Sequence, residues 1–216
     1  MYGTVFFDLD GTLTDPQLGI VRSIRHALDR LGVEALADDD LTWCIGPPLQ
    51  VSLARLVGDV RVPQALRYYR ERFGDIGWKE NELYPGITEA LTHLTTNGAT
   101  LYVATSKPLV FAERILRHFE LAEFFDRIFG SELDGTLSDK ADLLRFALRE
   151  ARPSDTPTMV GDREHDIIGA RANRLRSIGL TYGYGSREEL VQAGADVIVE
   201  TTSQISVALA QNTYCP

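Results

Sequence analysis

The sequence has few cysteines, few lysines and no long hydrophobic run. Its two cysteines, Cys44 and Cys215, are too few for a disulfide framework and form no CxxC motif. No apolar run approaches the roughly 18 residues that a membrane-spanning helix needs. The first residues lead directly into an apolar strand, without the basic and hydrophobic regions of a secretion signal. We therefore expect a cytoplasmic protein that does not bind a membrane.

Positive charge is also scarce. The formal net charge is −9, and only three of the 22 basic residues are lysines, namely Lys79, Lys107 and Lys140. Because no cluster of basic residues is present, we expect no nucleic-acid polymer as a partner. A small anionic ligand remains compatible with an acidic protein, provided that a local positive site receives it. The sequence carries no signal for a particular oligomeric state.

The order of the predicted elements divides the chain into an α/β part and a helical part. After a first apolar strand, residues 15–83 carry apolar side chains at helical spacing and contain no convincing strand. From residue 84 onward, helices alternate with short apolar strands, which is typical of a parallel sheet covered by helices on both faces. We expect a doubly wound, Rossmann-like α/β core formed by residues 1–14 and 84–216. Residues 15–83 are predicted to form an inserted all-helical cap domain.

Side chains with useful chemistry follow the predicted strands at the points where the strands end. Ligands of open parallel sheets bind outside the carboxyl ends of the strands. The groups that meet this condition are carboxylates, hydroxyls and one ammonium at the start of a helix. They are Asp8, Asp10, Thr105, Ser106, Lys140, Asp162 and Asp166.

Each of these groups alone has a purely structural alternative. Thr105 and Ser106 could cap the helix that follows them, and Asp162 could cap the helix that begins near residue 164. Asp166 could favour the first turn of that helix through its dipole. Lys140 could be a solvated lysine at a helix end. The conjunction of all of them at one sheet edge favours a functional site.

The spacing of the acids indicates a cation and phosphoryl chemistry. Two carboxylates two residues apart in extended chain point the same way, and they stay ionised together only beside a positive charge. Asp8 and Asp162 offer the hard oxygen ligands that Mg²⁺ prefers. A carboxylate that faces a phosphate is a nucleophile for an aspartyl-phosphate, and Asp10 is placed to act as general acid and base. Thr105 and Lys140 could bind the phosphate oxygens.

Four segments resemble the motifs of the haloacid dehalogenase-like superfamily, namely "DLDGT", "VATSKP", Lys140 and "GDREHD". A helical insert directly after the first motif resembles the phosphoglycolate phosphatase-like branch. The segments "IGPPL", "RYYRERF", "GWKENELYPGI" and "YGYGSREEL" further resemble a 5′-nucleotidase-like subgroup of that branch.

The resemblance implies a role for each matching residue. Asp8 would be the nucleophile, and Asp10 the acid/base that also gives a backbone oxygen to the metal. Asp162 would be a metal ligand and Asp166 a supporting acid. Among the phosphate-binding residues, Thr105 matches the second-motif hydroxyl, with Ser106 beside it.

One departure from the family pattern concerns the lysine. Relatives commonly follow the third-motif lysine with proline, whereas here Lys140 begins the segment "KAD". Lys107, which lies just past Thr105, therefore remains a rival for the lysine that faces the phosphate.

These inferences predict a phosphoric monoester hydrolase that uses Mg²⁺. Its substrate would be a small phosphorylated metabolite, either a 5′-nucleotide or a molecule similar to phosphoglycolate. The alternative is a phosphotransferase or mutase that passes the phosphoryl group to an acceptor other than water, including protein side chains. The loop with Gly46, Pro47 and Pro48 is predicted to roof the pocket and select the substrate. Its alternative is a simple link between two helices.

Overall fold

A computed structural model describes residues 2–34 and 41–211 of the chain. Six of its strands form one fully parallel sheet in the order β5-β4-β1-β6-β7-β8, and two short strands, β2 and β3, pair separately. The strands are β1 (Thr4–Phe7), β2 (Thr14–Asp15), β3 (Glu82–Leu83), β4 (Thr100–Pro108), β5 (Arg127–Ser131), β6 (Thr158–Gly161), β7 (Arg176–Leu180) and β8 (Val197–Val199). The prediction of a doubly wound parallel sheet is confirmed.

The helices of the described residues alternate with the sheet strands from residue 84 onward, and three of them lie between β2 and β3. They are α1 (Gln17–Arg30), α2 (Leu49–Val57), α3 (Val62–Asp75), α4 (Ile87–Thr96), α5 (Leu109–His118), α6 (Lys140–Ala151), α7 (Glu164–Ala172), α8 (Arg187–Ala193) and α9 (Ser203–Ala210). No helix in residues 2–34 and 41–211 is both long and apolar enough to cross a membrane.

Strand β1 lies in the middle of the sheet and is buried on both faces. It pairs with β4 on one side and β6 on the other. Successive side chains of a strand point to opposite faces. Phe6 accordingly stacks on Tyr102 with ring centroids 5.1 Å apart, whereas Phe7 meets Phe125 on the other face at 6.3 Å. This two-sided packing fixes the strand end from which Asp8 follows.

The helical segment packs around α1 and α3. Ile24 and Leu28 of α1 and Tyr69 and Phe73 of α3 are buried in one hydrophobic cluster. The apolar spacing in the sequence also places Leu18 on the buried face of α1, but that side chain is 51% exposed.

The short strands β2 and β3 lie where this helical segment leaves and rejoins the core. They are antiparallel, with Thr14 opposite Leu83 and Asp15 opposite Glu82. Hydrophobic periodicity predicts no strand in residues 15–83, and at this junction that prediction is wrong. Two-residue strands carry too short a pattern to be detected from hydrophobic periodicity. Cys215 lies outside the described residues.

Candidate active site

The turn after β1 brings two acids to the carboxyl edge of the sheet. The N–H groups of residues 12–14 all donate to the Leu9 carbonyl, at 2.9–3.2 Å. Gly11 has a φ of +82°, and a Cβ atom there would lie 2.2 Å from Oδ2 of Asp162. Only glycine fits this position, because any side chain would meet both backbone strain and a carboxylate. The tight turn places Asp8 and Asp10 in the wall of one cavity.

Three buried carboxylates meet at this edge. Asp8 follows β1, Asp162 follows β6 and Asp166 lies in the first turn of α7. One oxygen of each lies within 4.8 Å of the others. The structure therefore brings together residues that are more than 150 positions apart in the sequence.

Lys140 lies among these acids. Its Nζ is 3.1 Å from Oδ1 of Asp8 and 2.7 Å from Oδ1 of Asp166, and it donates to the Ala104 carbonyl at 2.9 Å. Burial lowers the pKa of this ammonium, but the carboxylates of Asp166 and Asp8 outweigh burial and the net pKa is raised. Only 4% of Lys140 is exposed, so the alternative of a solvated helix-end lysine is wrong.

The charge of this cluster fits a divalent cation. Burial raises the pKa of Asp162 well above its ordinary value, and the charges of Asp166 and Asp8 add to the rise. Burial likewise raises the pKa of Asp166, against the opposing charge of Lys140. Three ionised carboxylates and one ammonium leave a net charge of about −2, and carboxylate oxygens are ligands that Mg²⁺ prefers. Asp8, Asp162 and Asp166 are thus the side chains that could hold a metal, whereas a backbone ligand from Asp10 stays a prediction.

Both oxygens of Asp162 have hydrogen-bond donors that orient them. The Thr12 hydroxyl donates to Oδ1 at 3.1 Å, and the Tyr184 N–H donates to Oδ2 at 2.8 Å. Helix α7 has Arg163 at its N-cap position, so the alternative that Asp162 caps this helix is wrong. The Tyr184 hydroxyl donates to the carboxylate of Asp15 in β2, which connects the site to the junction of the helical segment.

Asp166 both stabilises the first turn of α7 and belongs to the cluster of carboxylates. Its Oδ2 accepts a hydrogen bond from the Arg163 N–H at 3.1 Å, which stabilises the start of α7. Its Oδ1 is the oxygen that pairs with Lys140. A Cβ atom on Gly161 would lie 2.2 Å from Asp166, so the strand end must be glycine for this carboxylate to fit.

Lys107 and Asp10 form a second buried ion pair. Lys107 Nζ lies 2.5 Å from Oδ2 of Asp10, and the two side chains are 5% and 13% exposed. The ammonium also lies 4.8 Å from the centre of the Phe73 ring in α3. Burial raises the pKa of Asp10, with the Lys107 charge opposing and the Asp8 charge adding. The two candidate lysines therefore have different partners, since Lys140 lies beside Asp8 and Lys107 beside Asp10.

The hydroxyl residues lie at the end of β4. This strand continues through Pro108, and Pro108 occupies the N-cap position of α5. The alternative that Thr105 and Ser106 cap the helix is therefore wrong. Both line the cavity, and the Thr105 hydroxyl accepts a hydrogen bond from the Lys107 N–H at 3.3 Å.

The helical segment forms the opposite wall of the cavity, which has a volume of about 80 Å³. Gly46 and Pro47 line it, whereas Pro48 occupies the N-cap position of α2 and lines a neighbouring groove. The Ile45 carbonyl accepts a hydrogen bond from Arg163, and a Cβ atom on Gly46 would lie 2.7 Å from Cγ of that arginine. The predicted roof loop therefore contacts the residue that follows Asp162.

Sequence reasoning missed several residues of this site. Gln50 lies in none of the segments that carry the family resemblance. Arg70, Arg163 and Tyr184 lie in "RYYRERF", "GDREHD" and "YGYGSREEL", but the resemblance assigns these three residues no role. The sequence presents Lys107 only as a rival lysine and does not reveal its ion pair with Asp10.

The chain is similar to known proteins over nearly its whole length. The family model described as haloacid dehalogenase-like hydrolase matches residues 5–180. A 5′-nucleotidase of Pseudomonas aeruginosa is 47% identical over 192 residues, which cover 88% of this chain and 87% of that protein. Tyrosine-protein kinase PtkA of Mycobacterium tuberculosis is 38% identical over 200 residues, covering 92% of this chain and 69% of that protein.

Two further similarities cover more than nine-tenths of the chain. A phosphoglycolate phosphatase of Agrobacterium fabrum is 30% identical over 215 residues, which cover 94% of this chain and 90% of that protein. The crystal structure of a predicted phosphatase from Clostridium acetobutylicum superposes with a TM-score of 0.93 at 44% identity, covering 98% of this chain and 99% of that one.

Proposed function

Because the chain belongs to the haloacid dehalogenase-like hydrolase family and is a phosphoric monoester hydrolase, we propose that it cleaves small phosphorylated metabolites through an aspartyl-phosphate on Asp8. The observation that carries the proposal is the position of Asp8. It pairs with Lys140, meets two further buried carboxylates and lines the same cavity as Asp10 and Thr105. The names of the relatives support a 5′-nucleotide or phosphoglycolate as the type of substrate.

In the first step, a carboxylate oxygen of Asp8 attacks phosphorus and the bond from phosphorus to the ester oxygen breaks. Asp10 gives its proton to that oxygen as the alcohol leaves. The raised pKa of Asp10, caused first by burial, favours the protonated form that this step requires. Lys107 stabilises the carboxylate that remains. Oδ1 of Asp10 has no hydrogen-bond partner among the described residues, so it is the oxygen available for proton transfer.

In the second step, water attacks the phosphorus of the aspartyl-phosphate. Asp10 accepts the proton of this water, and the bond from phosphorus to Asp8 breaks, which restores the Asp8 carboxylate and releases phosphate. Throughout, the Thr105 hydroxyl, which lines the cavity, binds the phosphate oxygens, and Lys140 supplies positive charge beside Asp8, with which it pairs. Mg²⁺, held by Asp8, Asp162 and Asp166, would neutralise negative charge on the transferred phosphoryl group.

The test is release of inorganic phosphate from phenyl phosphate and from a set of small phosphorylated metabolites, with Mg²⁺ and with EDTA. Asp8→Asn should abolish release, because an amide is no nucleophile. Asp75→Asn, at the exposed end of α3, is the matched control and should keep the parental rate. Substantial turnover by Asp8→Asn would refute the aspartyl-phosphate route.

A second candidate is transfer of the phosphoryl group to a protein side chain. The observation that favours it is the 38% identity to a relative named tyrosine-protein kinase. The same aspartyl-phosphate serves both reactions, and only the acceptor in the second step differs. The helical wall that closes the cavity leaves room for water or a small molecule and little for a folded protein surface. Hydrolysis is therefore our first proposal.

Labelled ATP separates the two candidates. With ATP labelled in the γ-phosphate and a tyrosine-containing polymer present, hydrolysis sends the label to free phosphate, and transfer sends it to the polymer. Label found mainly on the polymer, and lost in Asp8→Asn, would replace the first proposal by the second.

A further inference from the structure

One arginine of the cavity has no acidic partner among the described residues. Arg70 of α3 is the only arginine that lines the cavity among the described residues. Its Nη2 donates to the carbonyl of Leu133, in the loop after β5. No carboxylate of residues 2–34 and 41–211 forms a salt bridge with it. Arg72, two residues further on, differs, since it pairs with both oxygens of Glu80 at 2.7 and 3.0 Å.

An amide lies in the same wall of the cavity. Gln50 of α2 lines the cavity together with Arg70, and a Cβ atom on Gly135 would lie 3.0 Å from its Nε2. Both side chains thus approach the loop of residues 131–136. No hydrogen bond of the Gln50 amide is formed within the part of the chain that the structure describes.

The remaining wall of the helical segment is mostly apolar. Leu49, Leu66, Tyr69 and Phe73 line the cavity there. A substrate whose phosphate lies at Thr105 therefore meets carbon on most of this wall. Among the described residues of the helical segment that line the cavity, Arg70 carries the only permanent charge. A guanidinium keeps its charge at all relevant pH values and offers paired donors that match a carboxylate.

We infer that Arg70 and Gln50 form a subsite for an acceptor oxygen on the leaving group, and that a carboxylate is the acceptor it fits best. This inference rests on the proposed function. Charge-assisted hydrogen bonds to a guanidinium are about twice as strong as neutral ones. A carboxylate of the substrate would supply the anionic partner that Arg70 does not have among the described residues. The substrate class is then a short phosphorylated hydroxy acid, such as 2-phosphoglycolate.

The size of the cavity agrees with a short acid. The space of about 80 Å³ is several times the roughly 10–15 Å³ that a cavity needs to hold one water, so a small molecule fits. A carbonyl oxygen of a nucleobase is the other source of the same acceptor chemistry, and the experiment separates the two sources.

The experiment measures kcat/KM for four esters with Mg²⁺ present. They are 2-phosphoglycolate, its neutral amide 2-phosphoglycolamide, uridine 5′-monophosphate and phenyl phosphate. The proteins are the parent, Arg70→Gln and the matched control Arg67→Gln. Arg67 lies one turn earlier on α3, is exposed and stacks on the Tyr68 ring. In Arg70→Gln, the ratio of kcat/KM for the acid to that for the amide should fall roughly 10- to 100-fold, mainly through KM. Arg67→Gln should keep the parental ratio.

The outcomes distinguish this inference from the proposed function. In Arg70→Gln, kcat/KM for uridine 5′-monophosphate relative to phenyl phosphate could fall while the acid-to-amide ratio of kcat/KM stays unchanged. That result would support the subsite with a carbonyl oxygen of the nucleobase as its acceptor. If both ratios of kcat/KM keep their parental values in Arg70→Gln, the subsite is refuted and the phosphatase proposal stands. Absence of phosphate release from every ester by the parent, phenyl phosphate included, would overturn both.

Discussion

Replacing Lys107 by methionine removes the ammonium that pairs with Asp10 and keeps most of the side chain's volume. The two groups are 2.5 Å apart, and both side chains are largely buried. Breaking a buried pair by removing one partner leaves an uncompensated charge and costs about 3–5 kcal/mol. The ammonium also lies over the Phe73 ring, and a desolvated contact of this kind contributes about 0.5–2 kcal/mol. We expect Lys107→Met to lower the free energy of unfolding by about 3–5 kcal/mol at pH 8.

The loss should depend on pH in a definite direction. Burial raises the pKa of Asp10 and the Lys107 charge opposes that rise, so without the lysine the pKa rises further. A carboxyl group whose pKa is higher in the folded than in the unfolded state binds its proton more tightly when folded. Its contribution is therefore fully present below the unfolded pKa of about 3.9 and is lost as pH rises through the folded pKa. Lys107→Met should be less destabilised at pH 5 than at pH 8.

Urea unfolding of the metal-free proteins in EDTA is the assay, with Asp10→Asn and the double variant completing a double-mutant cycle. Because the amide needs no counter-charge, the double variant should be more stable than Lys107→Met alone. Lys79→Met is the control, since Lys79 is exposed, lies over the Trp78 ring and forms no salt bridge within the described part of the chain. It should cost less than about 1 kcal/mol. A loss of similar size for Lys107→Met and Lys79→Met, with no coupling in the cycle, would refute the reasoning.

Three further predictions concern activity. Asp10→Asn should slow phosphate release by roughly 10²–10⁴-fold for alkyl phosphates and by less for aryl phosphates, whose leaving groups need less protonation; equal losses would remove Asp10 from the acid role. Asp162→Asn should raise the Mg²⁺ concentration for half-maximal activity, because a charged oxygen ligand is lost; an unchanged titration would contradict its place in the metal site. Gly46→Val should change the order of preference among small esters with little effect on Mg²⁺ dependence, because the new side chain meets Arg163 at the cavity wall; parental kcat/KM values on every ester would contradict the role of this loop.

Local sequence patterns reveal the sheet and the acidic residues at its carboxyl edge. A short apolar run followed by "DLDGT" predicts a buried strand and its acidic end, and helix α6 begins at Lys140 as the sequence indicates. These features depend on neighbours in the chain, so a single sequence contains them. Leu18 shows the limit of this reasoning, since helical spacing alone does not decide which flank of an apolar stripe faces the core.

The contacts that orient the site were beyond prediction because they join distant segments. The Tyr184 N–H reaches Asp162 across 22 residues, and Arg163 reaches the Ile45 carbonyl across 118. Neither contact produces a recognisable spacing of residue types within a short stretch of the sequence. The ion pair of Lys107 with Asp10 likewise depends on how far β4 continues past Thr105, and strand ends are the least predictable boundaries.

The pairing of β2 with β3 has a consequence for how such a chain diversifies. Thr14 lies opposite Leu83, so the two ends of the intervening segment are held side by side by backbone hydrogen bonds. Inserting or deleting residues within a segment whose ends are already fixed changes loop-closure entropy only slowly with length. Replacement of the whole segment leaves the register of the six-stranded sheet untouched. The wall that we propose to contact the leaving group can therefore be exchanged without moving the acids and lysines at the sheet edge.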